Sequence, residues 1–332
     1  MILVTGGLGF IGSHTVVSLQ EKGHEVLIVD DLSNSTFEVL EGIESASGRR
    51  PKFKELNLQN SLGVTQIFQS YNITGIIHFA AAKAIRESIE KPIAYYQNNL
   101  GSLLNLLAEI EALDKPIPFI FSSSCSVYGE AETLPITERA AIKPAISPYG
   151  NTKQVGEEIL MDTVNALENF RVISLRYFNP IGAHHSNAIG ELPLGKPQNL
   201  LPFITQTAAG LYPKLTVYGN DYPTPDGTNI RDYIHVEDLA EAHVVAIERI
   251  LESKSTGTYE VFNLGSGKGS SVLEVIKSFE RISGQELKYE IGKRRVGDVI
   301  SAYADTTKAN QVLGWKAKRS LDEAVASAWV WE

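Results

Sequence analysis

Tyr149 and Lys153 stand four residues apart in Pro148-Tyr-Gly-Asn-Thr-Lys153, and three serines, Ser122, Ser123 and Ser124, precede them. On a helix this spacing brings a phenol and an ammonium to one face. A cation near a phenol favours the phenolate, so a tyrosine held this way can exchange protons near neutral pH. The same two residues could also sit idle on an exposed helix, and the N-terminal segment separates the two readings.

That segment begins Met1-Ile-Leu-Val-Thr5 and continues Gly6-Gly7-Leu8-Gly9-Phe10-Ile11-Gly12. An apolar run without a polar break suits a strand buried on both faces of a parallel sheet. Gly7, Gly9 and Gly12 fulfil the dinucleotide fingerprint, between that strand and an amphipathic stretch from Ser13 to Lys22. Glycines there let the chain turn tightly and let a pyrophosphate approach the free amides of a helix N-terminus. A second apolar run, Val26 to Val29, ends in Asp30. An acid about 20 residues beyond the fingerprint accepts hydrogen bonds from a ribose diol. Its carboxylate would repel a 2′-phosphate, and no arginine occurs in Asp31-Leu32-Ser33-Asn34-Ser35 to receive one, so NAD is the expected cofactor.

The chain has 332 residues, 43% of them hydrophobic, which is ample for one large domain or two. A net charge of −9 argues against nucleic acid, which needs a basic face, while a few arginines suffice for a diphosphate. The single cysteine, Cys125, allows no internal disulfide framework and fits a reducing compartment. No leader-like segment precedes the first strand and no apolar run approaches membrane-spanning length, so the expected setting is the cytoplasm, without a membrane partner.

The first half alternates short apolar runs with longer amphipathic ones. Strands are expected at Ile2–Thr5, Val26–Asp30, Lys52–Glu55, Ile76–Ala80, Phe119–Ser123 and Val172–Tyr177. Helices are expected at Ser13–Lys22, Ser61–Tyr71, Pro92–Leu113 and Pro148–Asn169. This rhythm implies right-handed crossovers and an α/β fold, a doubly wound parallel Rossmann sheet. Ligands on such sheets bind beyond the carboxyl ends of the strands, where Gly6–Gly12, Asp30, Ala80–Lys83 and Ser122–Ser124 all fall. After Asn179 the rhythm breaks down, and Pro180 to Gly227 is rich in Pro, Gly and Asn. The expected division is an NAD-binding domain over residues 1–178 and a smaller mixed α/β substrate domain over 179–332, whose segments could interleave with the first. Within the second part, helices are expected at Glu237–Leu251, Val272–Ser283 and Leu321–Trp331, and strands at Leu215–Tyr218, Tyr259–Leu264 and Leu287–Ile291.

Over nearly its whole length the chain resembles the extended short-chain dehydrogenase/reductases, and within them the nucleotide-sugar 4-epimerases acting on UDP-glucose and UDP-galactose. The fingerprint and Tyr149 to Lys153 are general to the superfamily. More specific carriers are His78-Phe-Ala-Ala-Ala-Lys83, Tyr95-Tyr-Gln-Asn98-Asn99, Arg176-Tyr-Phe-Asn-Pro180-Ile-Gly-Ala183, Gly219-Asn-Asp-Tyr-Pro223, Arg231-Asp-Tyr-Ile-His-Val236 and the stretch from Arg294 to Asp298.

The resemblance implies a mechanism in which NAD stays bound through the cycle. Tyr149, as phenolate, takes the proton of the sugar 4-hydroxyl while hydride leaves C4, and a 4-keto sugar turns about its diphosphate link before hydride returns to the other face. Lys153 holds the nicotinamide ribose, and Ser124 hydrogen-bonds the reacting oxygen. For NAD the resemblance implies Gly6, Gly9, Phe10, Ile11, Gly12, Asp30, Asp31, Leu32, Ser33, Asn34, Ser35, Asn57, Leu58, Phe79, Ala80, Ala81, Lys83, Asn98, Ser122, Tyr177 and Phe178, besides Tyr149 and Lys153. For the UDP-sugar it implies Lys83, Ser124, Tyr149, Asn179, Asn199, Leu200, Thr216, Val217, Tyr218, Arg231, Arg295, Asp298 and Ala302. A homodimer joined through the segments Pro92–Leu113 and Pro148–Asn169 is implied as well, although the apolar Leu103, Leu106, Leu107 and Ile110 suit burial against the sheet equally.

Three positions depart from the family pattern. Asn57 stands where an aspartate commonly receives the adenine amino group, and its amide oxygen could still accept that bond. Asp31 stands where asparagine is frequent. Ala302 replaces a bulky tyrosine of sugar-only epimerases, leaving room for an N-acetyl group, so activity on UDP-GlcNAc and UDP-GalNAc is expected too. His78 reads as a satisfied core residue rather than a catalyst. His184-His185 resembles a metal pair, but no carboxylate or cysteine sits at ligand spacing in the sequence, so no metal is expected. The rival readings are a nucleotide-sugar dehydratase, a decarboxylase, or a silent NAD-binding regulator. Cys125 and Ser126 occupy the places where a dehydratase needs acids, and Ser124, Tyr149 and Lys153 together count against a silent scaffold.

Overall fold

The computed structural model of the protein describes residues 1–113, 115, 117–295 and 297–332. The N-terminal part runs β1 (Ile2–Thr5), α1 (Phe10–Glu21), β2 (Val26–Asp30), α2 (Glu38–Ser47), β3 (Lys52–Glu55), α3 (Ser61–Ser70), β4 (Gly75–His78), α4 (Ile85–Glu90), α5 (Pro92–Ala112), β5 (Phe119–Ser124), α6 (Pro148–Ala166) and β6 (Val172–Tyr177). Then follow β7 (Asn179–Ile181), α7 (Leu200–Ala208), β8 (Leu215–Tyr218), β9 (Ile230–His235), α8 (Val236–Leu251), β10 (Tyr259–Leu264), β11 (Gly269–Ser271), α9 (Val272–Ser283), β12 (Tyr289–Gly292), β13 (Ser301–Ala302) and α10 (Leu321–Trp331).

Seven parallel strands form the main sheet in the order β3-β2-β1-β4-β5-β6-β10. The order reverses between β1 and β4, the switch point at which doubly wound sheets bind ligands. Central strands are uninterrupted apolar runs because both faces are covered. On one face Val4, Ile28, Ile77 and Ile120 pack with Val16 and Val17 of α1, Ile43 of α2 and Leu239 and Ile247 of α8. On the other, Leu3, Leu27, Ile76 and Phe119 pack with Val64 of α3, Leu103 and Leu106 of α5 and Leu160 of α6. The expected α/β, doubly wound Rossmann architecture is therefore present. Leu103, Leu106, Leu107 and Ile110 are spent on this sheet, each 6% exposed or less.

Segments from both sides of residue 178 share the sheet. After β9 the chain returns through α8, which packs on α1, and β10 pairs with β6 from Tyr259↔Val172 to Leu264↔Tyr177. Both segments are apolar and buried, and the open edge of β6 offered an unpaired row of backbone groups that β10 satisfies. The rest of the C-terminal part is smaller and mixed: β11, β9, β13 and β7 form one sheet, β8 and β12 another, and α7, α9 and α10 close a separate apolar core around Ile204, Phe279 and Val325. Helices α2, α4 and α7 were not expected from periodicity, and β4 stops at His78, freeing residues 79–84 as a loop over the cleft.

Candidate active site

Gly6 and Gly12 shape the start of the cleft. Gly6 has φ +67, and a Cβ on it would lie 2.7 Å from the backbone nitrogen of Ala80; one on Gly12 would lie 2.2 Å from the Gly6 carbonyl oxygen. Only glycine lets the turn, the first helix and the β4 loop approach this closely. Helix α1 starts after Gly9 with no side-chain cap, so its first amides point free toward the switch point, where Phe10 and Ile11 begin the helix. This cradle fits a dinucleotide pyrophosphate.

Asp30, at the end of β2, is 8% exposed. Its carboxylate accepts from the amides of Leu8 and Leu32, at 3.0 Å each, and from Ser35 Oγ at 2.8 Å. It therefore ties the glycine turn to the Leu32–Ser35 loop, a structural duty the sequence did not reveal. The two departures at Asp31 and Asn57 meet: Asn57 Nδ2 donates to Asp31 Oδ2 at 2.9 Å, and Asn57 Oδ1 accepts from the Gln59 amide. An amide and a carboxylate thus face each other at this corner, with the acid on Asp31 rather than on residue 57. Leu58 is buried next to them.

The loop carrying Phe79, Ala80, Ala81 and Lys83 is pinned by Asn99 of α5. Asn99 Oδ1 accepts from the Ala82 amide at 2.8 Å, and its Nδ2 donates to Ala82 O and to Thr152 Oγ1 of α6, both at 3.0 Å. Asn98 instead faces Gln59 and accepts its amide at 3.2 Å. In the sequence Asn99 stands out only as part of the Tyr95–Asn99 motif, and its burial at 6% exposure marks it as the clamp.

Ser124 ends β5 and Tyr149 lies in the first turn of α6, which Ser147 caps by accepting from the Gly150 amide. The Ser124 hydroxyl lies near enough to the Tyr149 phenol to favour its ionised form, and its Oγ accepts from the Ser126 amide at 3.1 Å. Lys153 Nζ donates to the Ser122 carbonyl at 2.6 Å and lies 5.0 Å from the Phe121 ring centroid and 6.0 Å from that of Tyr149. Burial pushes Tyr149 up to about 12 and Lys153 down to about 8, the latter opposed by the Glu157 carboxylate. The phenol is thus harder to ionise than in water, contrary to the expectation that Lys153 alone would acidify it; desolvation outweighs an ammonium aimed at a carbonyl.

Behind these groups lies an ion pair absent from the sequence reading. Arg176 of β6 donates to Glu157 of α6 through Nε at 2.9 Å and Nη2 at 2.5 Å, Ser123 Oγ donates to the same carboxylate at 2.5 Å, and each partner is 6% exposed. A glutamate one turn after Lys153, on the face that also carries Leu160, was the available signal. Ser122 Oγ pairs with the Tyr177 hydroxyl, and Phe178, 4% exposed, leads into Asn179, whose strand β7 pairs with β9.

Across the cleft, Asp298 bridges Arg231 at 3.7 Å and Arg295 at 3.2 Å, and the Arg295 guanidinium sits 4.5 Å from the centroid of Tyr218. Val296 lies outside the described residues. Asp232 accepts instead from a buried nest of amides of Ser266, Gly267 and Ala304 and forms no ion pair with Arg231 beside it in the chain. Thr216 and Tyr218 face outward from β8 while the Val217 side chain is core, 1% exposed. Two fork-shaped cations beside an aromatic ring suit a nucleoside diphosphate. Ala302 pairs with Arg231 in the β13–β9 register and packs in one cluster with Phe178, Val127 and Tyr128, which puts it between the serine end and the arginine end of the cleft. Asn199 and Leu200 start α7.

His78 is a core residue: 3% exposed, hydrogen-bonded to Thr5 Oγ1 at 2.8 Å and pushed down to about 3 by burial. His184 and His185 do have a carboxylate nearby, since Glu237 arrives from α8, with His185 Nδ1 2.6 Å from Oε1 and His184 Nε2 3.6 Å from it. The same carboxylate also forms an ion pair with Arg319, whose Nε lies 2.9 Å from Oε2, so it already has charged partners.

The family model for GDP-mannose 4,6 dehydratase matches residues 3–328. A UDP-glucose 4-epimerase of Yersinia enterocolitica is 48% identical over 331 residues, 100% of this chain and 97% of that one. The structure of the Stenotrophomonas maltophila UDP-glucose 4-epimerase with bound NAD and formylated UDP-arabinopyranose superposes with a TM-score of 0.95 at 42% identity, covering 99% of this chain and 97% of that one. The Bifidobacterium longum UDP-glucose 4-epimerase in complex with NAD+ and UDP gives 0.95 at 45% identity, with the same 99% and 97% coverage. Fold, site and similarity define an extended short-chain dehydrogenase/reductase. Within that class the chain belongs to the UDP-glucose 4-epimerase family.

Proposed function

We propose that this enzyme interconverts UDP-glucose and UDP-galactose by inverting the sugar at C4 through a transient 4-keto sugar, with NAD as resident cofactor. The observation that carries the reading is the convergence of Ser124, Tyr149 and Lys153 at the carboxyl edge of the sheet, with the Gly6–Gly12 cradle on one side and Arg231 with Arg295 on the other.

NAD, when bound, supplies the hydride acceptor and donor for C4 and a positive ring charge that favours the phenolate. The chain's own groups do the rest. Tyr149 takes the 4-hydroxyl proton on its phenolic oxygen and later returns it, and Ser124 holds the same oxygen through its hydroxyl. Lys153, fixed by the Ser122 carbonyl, presents its remaining N–H groups to the cleft, where a cofactor ribose would lie. Phe178 and Asn179 line the reacting end, and Lys83 faces it from the β4 loop. Arg231, Arg295 and Asp298, with Tyr218, Thr216, Asn199 and Leu200, hold the UDP while the sugar turns. NAD is held through the cradle, Asp30 to Ser35, Asn57 and Leu58, and the Phe79–Lys83 loop.

The single test is incubation of the purified protein with UDP-galactose and no added NAD. UDP-glucose should form, and Tyr149→Phe should cut turnover by about 10²–10⁴-fold while leaving bound nicotinamide in place. Undiminished inversion in that variant would overturn the assignment of roles.

Ala302 favours a wider range. It is small, clusters with Phe178 and pairs with Arg231, so position 302 itself adds no ring to the cleft, and on this reading UDP-GlcNAc and UDP-GalNAc are accepted as well. The enzyme acts as a homodimer in the cytoplasm. Support for the dimer comes from Ile93 and Leu104 of α5, 71% and 50% exposed and three helical turns apart on one face, with Met161 of α6 at 48%. No described helix is long and apolar enough to cross a membrane, and Cys125 is a free thiol.

A further inference from the structure

Asn199 occupies the N-cap of α7 with the extended backbone that position requires, φ −84 and ψ 150. Asparagine is among the best capping residues, because its side-chain oxygen accepts from the first turn of the helix. Here it makes no such bond. Its Nδ2 donates instead to Oε1 of Glu191, at 2.5 Å. A local interaction that α7 could have used is forgone for a longer one.

Glu191 is rigidly supported for this contact. Gly190 lies flat on the Trp331 indole, where a Cβ would come within 2.5 Å of the ring, and it bridges to Ala183. The Glu191 carbonyl accepts from Trp331 Nε1 at 3.1 Å. The carboxylate is therefore presented from a fixed backbone, partly buried and close enough to Lys83 of the β4 loop to feel its charge.

We propose that Glu191 is a positioning residue for the nucleotide sugar: it draws the Asn199 amide out of its capping position and holds it ready for the UDP moiety. This rests on the reading of Asn199 as a UDP ligand given above. With one N–H fixed on Glu191, Asn199 keeps its second N–H and its carbonyl oxygen for the ligand, in an orientation set before binding. Removing the carboxylate frees the amide to cap α7, so the helix gains what the ligand loses.

The test uses the full-length protein, with UDP itself as the probe in calorimetric titration and thermal unfolding followed without UDP. Glu191→Ala should weaken UDP about tenfold and raise KM for UDP-galactose similarly, with kcat within about twofold and no drop in melting temperature. Asn199→Ala should lose a similar factor, and the double variant should lose no more than either single one. Glu191→Gln, which can still accept from Asn199, should recover most of the affinity. Unchanged UDP affinity in Glu191→Ala, additive losses in the double variant, or a loss of affinity that tracks a fall in melting temperature would each overturn the proposal. Failure of the unaltered protein to bind UDP would instead overturn the epimerase reading.

Discussion

The ammonium of Lys153 rests 2.6 Å from the backbone carbonyl of Ser122, and this contact orients the lysine in the cleft. A single carbonyl and the face of Phe121 compensate only part of its lost hydration, which is why burial pushes Lys153 down to about 8 from 10.5.

A stability consequence follows with a definite sign. Between about pH 8 and 10.5 the unfolded lysine holds a proton that the folded one has released, so stability rises with pH across that window. Below pH 8 both forms are charged and the folded state bears the full cost of burial. Lys153→Met should therefore stabilise the NAD-free protein at pH 7, by on the order of 2 kcal/mol, with the gain fading by pH 10.5, while epimerisation collapses. Denaturant unfolding at pH 7, 9 and 10.5 checks the trend; a gain that grows with pH would contradict it.

The Arg176–Glu157 pair predicts an asymmetry. Glu157→Ala leaves a buried guanidinium uncompensated and should cost about 3–5 kcal/mol, whereas Arg176→Met combined with Glu157→Leu should recover much of that loss. Removing the carboxylate also removes the charge that supports the Lys153 ammonium, so the pH profile of activity should shift in Glu157→Gln. The direction expected is a Lys153 transition at lower pH. A profile of kcat against pH that is unmoved in Glu157→Gln, in protein that remains folded, would remove this electrostatic role.

The Asp31–Asn57 contact predicts a rescue. Asn57→Asp alone sets two carboxylates against one another at hydrogen-bond distance and should weaken NAD retention by about tenfold or more. Asp31→Asn together with Asn57→Asp restores one acid and one amide in exchanged positions, and retention should return to within about threefold of the unaltered protein. Nicotinamide released on denaturation, per protein chain after dialysis, reads both.

Ala302→Tyr should fill the space beside Phe178. Turnover of UDP-GlcNAc should fall more than about tenfold relative to that of UDP-galactose, since a steric clash discriminates more sharply than a lost contact. Equal loss on both substrates would mean that the ring disturbs the cleft as a whole.

Local spacing reached far into this molecule. Short apolar runs alternating with amphipathic stretches located β1 to β6 and α1, α3, α5 and α6 to within a few residues, because buried parallel strands and sheet-covering helices write their environment directly into consecutive side chains. The glycine turn, Asp30 and the Tyr149–Lys153 pair were legible for the same reason, as each depends on residues close in sequence. What escaped depends on encounters across the fold. Sheet membership of β10 was settled by the free edge of β6, 87 residues upstream in every pairing of the register from Tyr259↔Val172 onward, and an apolar strand carries no mark of which edge it will meet. Glu237 reached His185, and Glu157 met Arg176, for a like reason: charge pairing is decided by distance in space, which spacing along the chain does not encode. The same holds for the acidity of Tyr149, whose sign turned on burial, a property of the assembled cleft rather than of the motif.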